Sequence, residues 1–153
     1  MLRHVMRKSN GLIAAALVLL LAAPAAHAQA DPDFAAAKRA YDASEFVDAA
    51  RLVRPLAEKG HPGAQFLMGQ MLFFGFGMER DDSQAAQWYA MAGQAGNTEA
   101  LYRLGYLHAT GQGVAYSAAS AERFWIAAAA KGHRGAIVAL ADFYHEGLYR
   151  KED

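Results

Sequence analysis

Three side chains near the end of the chain have a spacing that chemistry could use. Asp142, His145 and Glu146 stand at i, i+3 and i+4, which places all three on one face of a helix. Two carboxylates and an imidazole so arranged suit a metal ion or an acid–base pair. A solvated face of a last helix has the same composition, so the trio defines an alternative, a periplasmic enzyme, and not the favoured reading. Glu79, Asp81 and Asp82 cluster in a loop, where Asp81 is placed to cap a helix. His61 and His133 follow equivalent glycines, at a position that Asn97 also occupies, and read as turn residues; His108 shares its place with Leu72 and Tyr144 and reads as a packing residue. No Ser-His-Asp order, zinc-ligand spacing or phosphate loop is present. The expectation is therefore of no catalytic residue, no metal and no cofactor.

The elements that would carry these residues come from a pattern written twice. Pro62 to Asn97 aligns on Thr98 to His133 at a spacing of 98 minus 62, or 36 residues. Ala64 falls on Ala100, Met68 on Leu104, Gly69 on Gly105, Gly75 on Gly111, Gly77 on Gly113, Ala85 on Ala121, Trp88 on Phe124, Tyr89 on Trp125, Ala92 on Ala128 and Gly96 on Gly132. A period of this size marks stacked units, none of which buries its own apolar face. Each unit reads as two helices. Ala64, Met68, Met71 and Leu72 form the i, i+4, i+7, i+8 stripe of the first, which ends at Gly75 in a left-handed turn. Asp81 and Ser117 are equivalent N-caps for the second. Gly69 and Gly105 lie inside helices, where glycine costs about 1 kcal/mol against alanine. Close approach of the aromatic pair on the second helix is the compensating reason.

The segment Leu104-Gly105-Tyr106-Leu107-His108-Ala109-Thr110-Gly111-Gln112-Gly113-Val114 resembles the signature of Sel1-like repeats, relatives of the tetratricopeptide repeat. Ala121 to Gly132, with Phe124, Trp125, Ala128 and Ala129, resembles the half that follows it. The copy before it departs at Met78, where valine is usual, and at Gly93, where alanine is usual. The resemblance covers Asp31 to about Leu148. It implies an all-α fold, an α-solenoid of about seven helices in antiparallel pairs with a right-handed superhelix. It also implies an adaptor for other proteins and supplies no catalytic residue. The chain lacks the cysteines of the disulfide-stitched branch of these proteins, so nothing is carried over from that branch.

The first residues are of another kind. Arg3, Arg7 and Lys8 precede an apolar run from Gly11 to Ala23, and Ala26-His27-Ala28 is a small-x-small cleavage site. This is the pattern of a secretory signal peptide over residues 1–28, with export across an inner membrane to a bacterial periplasm as the expected destination. The run is shorter than the roughly 20 residues that span a bilayer, and Pro24 interrupts it, so no stable membrane anchor is expected after cleavage. Three of the 15 basic residues and none of the 15 acidic ones lie in that segment, leaving 12 minus 15, or −3, on residues 29–153. That balance argues against nucleic acid or an anionic membrane surface as a partner, since both demand a basic stripe.

Residues 29–153 read as one domain: a tetratricopeptide-like hairpin at 30–61, repeats at 62–97 and 98–133, and a truncated unit at 134–153. The hairpin should hold helices from Asp31-Pro32 to about Tyr41 and from Glu45 to Lys59, the latter kinked at Pro55. The last helix should run from about Arg134 to His145 or Glu146. In a tetratricopeptide-like stack the first helix of each pair lines the concave face. Counting from the buried glycines, Phe66, Gln70, Phe73 and Phe74, then Tyr102, Tyr106 and Thr110, then Val138, Asp142 and His145 face outward there. This aromatic groove is the expected binding site for a peptide or protein partner, with a glycan or peptidoglycan fragment as the alternative ligand. The final helix carries more apolar residues than one stripe takes. Ile137, Phe143 and Tyr144 are therefore expected at an open C-terminal edge suited to a homodimer, unless Leu148 to Asp153 folds back over it.

Overall fold

A computed structural model of the chain describes residues 31–149, with side chains to His145; the signal segment and Arg150 to Asp153 lie outside the described residues. Seven helices follow one another: α1 (Pro32–Asp42), α2 (Phe46–Glu58), α3 (Pro62–Phe74), α4 (Asp82–Gln94), α5 (Thr98–Thr110), α6 (Ala118–Ala130) and α7 (Arg134–Tyr149). Among the described residues there is no strand. Each helix packs chiefly on its neighbours in sequence, which is the contact pattern of a solenoid.

Local chemistry sets the boundaries. Asp31 accepts from the backbone N–H groups of Asp33 and Phe34 and caps α1, with Pro32 at its first turn. Asp81 and Ser117 cap α4 and α6 by accepting from Gln84 N and Ser120 N. Gly75 and Gly111 close α3 and α5 in the left-handed region, at φ +71° and +70°. Each is followed by a second glycine, and here the constraint is tertiary. A Cβ on Gly77 would sit 2.2 Å from the carbonyl oxygen of Phe46, and one on Gly113 2.2 Å from that of Asp82. The second glycine of each loop thus lets the chain touch the start of the preceding pair's second helix.

The helix-interior glycines have the role expected of them. An added Cβ on Gly69 would lie 2.7 Å from the Tyr89 ring, and one on Gly105 2.3 Å from the Trp125 indole nitrogen. Gly93, the departure from alanine, leaves room for Leu101, whose Cδ2 would stand 2.9 Å from a Cβ there. Met78, the departure from valine, packs half-buried against the same core as its counterpart Val114.

α2 runs through Pro55 from Phe46 to Glu58, with Glu45 and Lys59 as its cap residues, within one residue of the expected ends. Two details differ from expectation. α7 extends to Tyr149, beyond the predicted end at His145 or Glu146, so Leu148 and Tyr149 continue the helix and do not fold back. Phe143, expected at the open edge, is half-buried and meets the Trp125 ring edge-on at 5.9 Å between centroids. The indole that fills the space over Gly105 needs an apolar cover, and α7 supplies it with Phe143.

Candidate functional site

The first helices of the two central repeats, α3 and α5, carry seven of the predicted groove residues, Phe66 to Thr110. Their orientation depends on their caps. His61 caps α3, its Nδ1 accepting from Ala64 N at 3.1 Å while its ring lies 4.5 Å from that of Phe34. Asn97 caps α5 by accepting from Ala100 N at 2.9 Å. His133 does the same for the start of α7, accepting from Ala136 N at 3.0 Å through Nδ1. An Nδ1 that accepts must be unprotonated, which leaves Nε2 as the donor of the neutral ring. In His133 that nitrogen stands 2.7 Å from Glu99 Oε2. These histidines are caps and not merely the turn residues expected, and the match of His61 and His133 with Asn97 is the sequence signal for that role.

The predicted groove residues divide in two. Phe74 (46%) and Tyr106 (43%) are exposed, as are Thr110, Val138 and Asp142. Phe66, Gln70, Phe73 and Tyr102 are half-buried. Phe66 packs against Tyr89, with ring centroids 5.7 Å apart, and Phe73 meets Phe74 edge-on at 5.0 Å. Phe74 in turn stacks on Phe76 at 5.4 Å, and Phe76 on Phe46 at 4.4 Å, forming a ladder of rings at the end of α3. Tyr102 stacks on His133 at 4.7 Å, and its carbonyl accepts from the Trp125 indole N–H at 3.3 Å. Its role is therefore partly architectural, unlike that of Tyr106.

Between α3 and α5 lies a small cleft of about 10 Å³, lined by Phe73, Tyr89, Arg103, Tyr106 and Leu107. Two of these residues do not come from the predicted list. Tyr89 reaches the cleft from α4, only 1% exposed, and its hydroxyl has no hydrogen-bond partner. Burial raises the Tyr89 pKa far above its ordinary value, against a lowering influence from the Arg103 charge, so the phenol is neutral. Arg103 has its Nε 3.2 Å from Glu99 Oε1, but the buried N–H is not aligned with that oxygen and lacks a hydrogen bond. Its guanidinium lies over the Tyr102 ring, 5.7 Å from the centroid. No pattern in a single sequence marks an orphaned hydroxyl, because the lack of a partner is a property of the packed neighbours.

The other candidates stand apart. Asp142 and His145 are exposed on α7, the Glu146 side chain lies outside the described residues, and no group of three or more potential metal ligands occurs among those described. Asp82 pairs with Arg80 through two contacts of 2.7 Å, and Asp81 is committed to its cap. His108 stacks on Phe124 at 5.4 Å, the packing role expected of it. At the C-terminal edge Ile137 (52%) and Val138 (55%) are open, and Tyr144 is exposed with its hydroxyl donating to Glu122 of α6. No helix among the described residues is long and apolar enough to cross a membrane.

Comparison with known proteins places this architecture. A Sel1 repeat family model matches residues 62–97 and 98–133, the bounds of the internal duplication. The ERAD-associated E3 ubiquitin-protein ligase component HRD3A of Arabidopsis thaliana is 36% identical over 69 residues, covering 45% of this chain and 10% of that protein. Chitin synthase regulatory factor 1 of Schizosaccharomyces pombe is 33% identical over 95 residues, covering 60% and 21%. The chain thus spans a tenth to a fifth of the length of these relatives. Among solved structures, a Sel1 repeat protein from Oxalobacter formigenes superposes with a TM-score of 0.69 at 26% identity, over 73% of this chain and 46% of that one. A protective antigen of uropathogenic Escherichia coli displaying an SLR fold gives 0.64 at 31%, over 67% and 22%. Residues 62–133 are thus two Sel1 repeats, set inside an all-α solenoid that superposes on solved Sel1-repeat structures.

Proposed function

We propose that this protein is a non-catalytic interaction module that holds an extended segment of a protein partner along the α3/α5 face. The observation that carries the reading is the pair of exposed aromatic side chains on the first helices of successive repeats, Phe74 on α3 and Tyr106 on α5, the latter lining the cleft between those helices. Rigid rings partly open to water are the usual anchors of a peptide site, because they bury a large area for little lost conformational freedom. HRD3A, named as a component of a ubiquitin ligase assembly, is a relative that works with other proteins, which supports the same class of function. The site of action in this reading is the periplasm, on the strength of the charged, apolar and small-residue order of residues 1–28.

A displayed library of random peptides, selected on the chain from Gln29 to Asp153, tests the binding face. The selected peptides should lose at least tenfold in affinity on Tyr106→Ala and on Phe74→Ala, with helical circular dichroism unchanged. Binders indifferent to both substitutions would remove this face as the site. A second surface is favoured by Ile137 and Val138, which stand more than half exposed on the outer helix and suit a homodimer through the C-terminal edge.

A further inference from the structure

The two glycine-x-glycine loops share one backbone and present two different surfaces. Gly75 and Gly77 stand at φ +71° and +69°, Gly111 and Gly113 at +70° and +67°. A Cβ on the second glycine of each loop would stand the same 2.2 Å from a carbonyl oxygen at the start of the preceding second helix, that of Phe46 or of Asp82. Around this shared geometry, Phe46, Val47, Phe73, Phe74 and Phe76 of the first copy have Asp82, Ser83, Ala109, Thr110 and Gln112 as their counterparts 36 residues on. The same backbone is thus built from polar or small residues in the second copy, so the five large apolar ones of the first need a reason of their own.

Packing accounts for part of the set. Phe46 and Phe76 stack at 4.4 Å, and both meet the Tyr41 ring of α1, at 5.6 and 6.1 Å. Phe74 continues the ladder on Phe76 at 5.4 Å but stays 46% exposed. Val47, whose backbone nitrogen stands 2.9 Å from a Cβ on Gly77, is 74% exposed, the most open large apolar side chain among the described residues. The uncompensated charge beside this strip is negative. Glu45, next to Phe46, stands at the position of the caps Asp81 and Ser117, yet its side chain caps nothing. Neither Glu45 nor the exposed Glu79 of the loop has a partner for its carboxylate among the described residues. Asp42 and Asp48 are paired with Lys38 and Arg51, and Arg80 with Asp82.

We infer that this edge of the first repeat docks a segment of a partner protein in which an apolar side chain adjoins an arginine or lysine. The apolar group covers Val47 and Phe74, and the cation faces Glu45 and Glu79. Open apolar side chains bordered by unpaired carboxylates are complementary to that composition, because the apolar contact supplies the buried area and the charge selects the partner. Arginine suits the place best, since its planar guanidinium stacks on a ring while it pairs with a carboxylate. The inference goes beyond the α3/α5 face, with which it shares Phe74, because it turns on Val47, Glu45 and Glu79 and not on Tyr106.

The test places the second copy's residues in the first, as Val47→Ser and Phe74→Thr, side chains that the same backbone already carries at Ser83 and Thr110. The probe is a synthetic peptide with blocked ends and a phenylalanine–tryptophan pair between two arginines. It is titrated into the chain from Gln29 to Asp153 and followed by the Val47, Gly77 and Glu79 amide resonances. A saturable shift of these signals is expected. Binding should be about tenfold weaker in either variant, with helical circular dichroism unchanged, and about tenfold weaker for a peptide with glutamates in place of the arginines. Glu45→Gln combined with Glu79→Gln should weaken the arginine peptide and flatten its dependence on salt. Shifts linear in peptide and equal for the arginine and glutamate versions would overturn the proposal. So would a stronger response of the same amides to an N-acetylglucosamine oligosaccharide, which assigns the edge to a glycan, or a dimer that Val47→Ser dissociates, which assigns it to a second copy. Library peptides that lose affinity on Tyr106→Ala but not on Val47→Ser, with no response to the arginine peptide, would leave the α3/α5 face standing and remove this edge. If either variant unfolds, the arginine–glutamate comparison on the wild-type chain decides the matter.

Discussion

Gly105→Ala separates helix propensity from tertiary packing at a single position. In an exposed helix interior the substitution stabilises by about 1 kcal/mol, because alanine loses less backbone freedom than glycine. Here the new Cβ would stand 2.3 Å from Trp125 Nε1 and 2.4 Å from its Cδ1, so the indole must move. That indole is 6% exposed, its N–H donates to Tyr102 O, and Phe143 covers its edge. Overpacking a core costs about 1–3 kcal/mol, and displacing the indole N–H from its acceptor adds about 1–3 kcal/mol. Against the propensity gain, the net is a loss of about 1–5 kcal/mol. Gly69→Ala should lose less, since the Tyr89 ring carbons stand at 2.7 Å and its hydroxyl has no hydrogen bond to break. Urea unfolding of the chain from Gln29 to Asp153 measures both. With a slope of about 1–3 kcal/mol per molar urea, a loss of about 3 kcal/mol, the middle of the net range, lowers the midpoint by roughly 1–3 M. A midpoint for Gly105→Ala equal to or above wild type would refute the argument that the glycine is there for the indole.

The remaining predictions concern pH and assembly. Asp81 accepts from Gln84 N, its largest influence, and from the Gln84 side chain, which together hold its carboxyl below the ordinary 3.8. A carboxyl depressed in the folded state stabilises above its unfolded value, and that contribution is lost as pH falls from about 3.8 through the lowered folded value. Asp81→Asn keeps the cap but cannot titrate, so its unfolding midpoint should fall less steeply than wild type over that acid range; identical acid profiles would contradict the cap's electrostatic part. At the C-terminal edge, light scattering over a concentration series should show reversible dimers that Val138→Glu abolishes without loss of helicity. Phe143→Glu should instead unfold the last helix pair, because that ring packs on Trp125.

How much of this was written in the sequence depends on the distance over which each feature is decided. The αL ends at Gly75 and Gly111 and the caps at Asp31, Asp81 and Ser117 act within one turn of the chain, and the 36-residue duplication writes the central ones twice. Composition and spacing therefore reveal them. Even the reason for Gly69 and Gly105 was readable, since a costly residue repeated at the period must have a repeated partner, and Tyr89 and Trp125 are such partners. Gly77 and Gly113 were legible as turn residues but not as contact points, because Phe46 and Asp82, which they touch, lie 31 residues earlier.

The candidate site was legible as a surface and not as chemistry. Helical counting named the α3 and α5 positions, but it could not tell that Phe66 and Phe73 are half-covered while Phe74 and Tyr106 stay open. That distinction depends on how α4 and the loop rings pack against them. The repeat marks Tyr89 as the aromatic that covers Gly69, and no pattern in the sequence marks Arg103. Their placement around one cleft, one with an orphaned hydroxyl and the other with an unaligned N–H, comes from the stacking of α3, α4 and α5. Phe143 illustrates the same limit at the last helix. A period of 3.6 gives α7 its apolar residues, and only the position of the Trp125 indole decides which of them turns inward. Local hydrogen bonding and backbone geometry are properties of the sequence, whereas exposure and the pairing of polar groups belong to the stacked repeats, because both depend on atoms supplied by another helix.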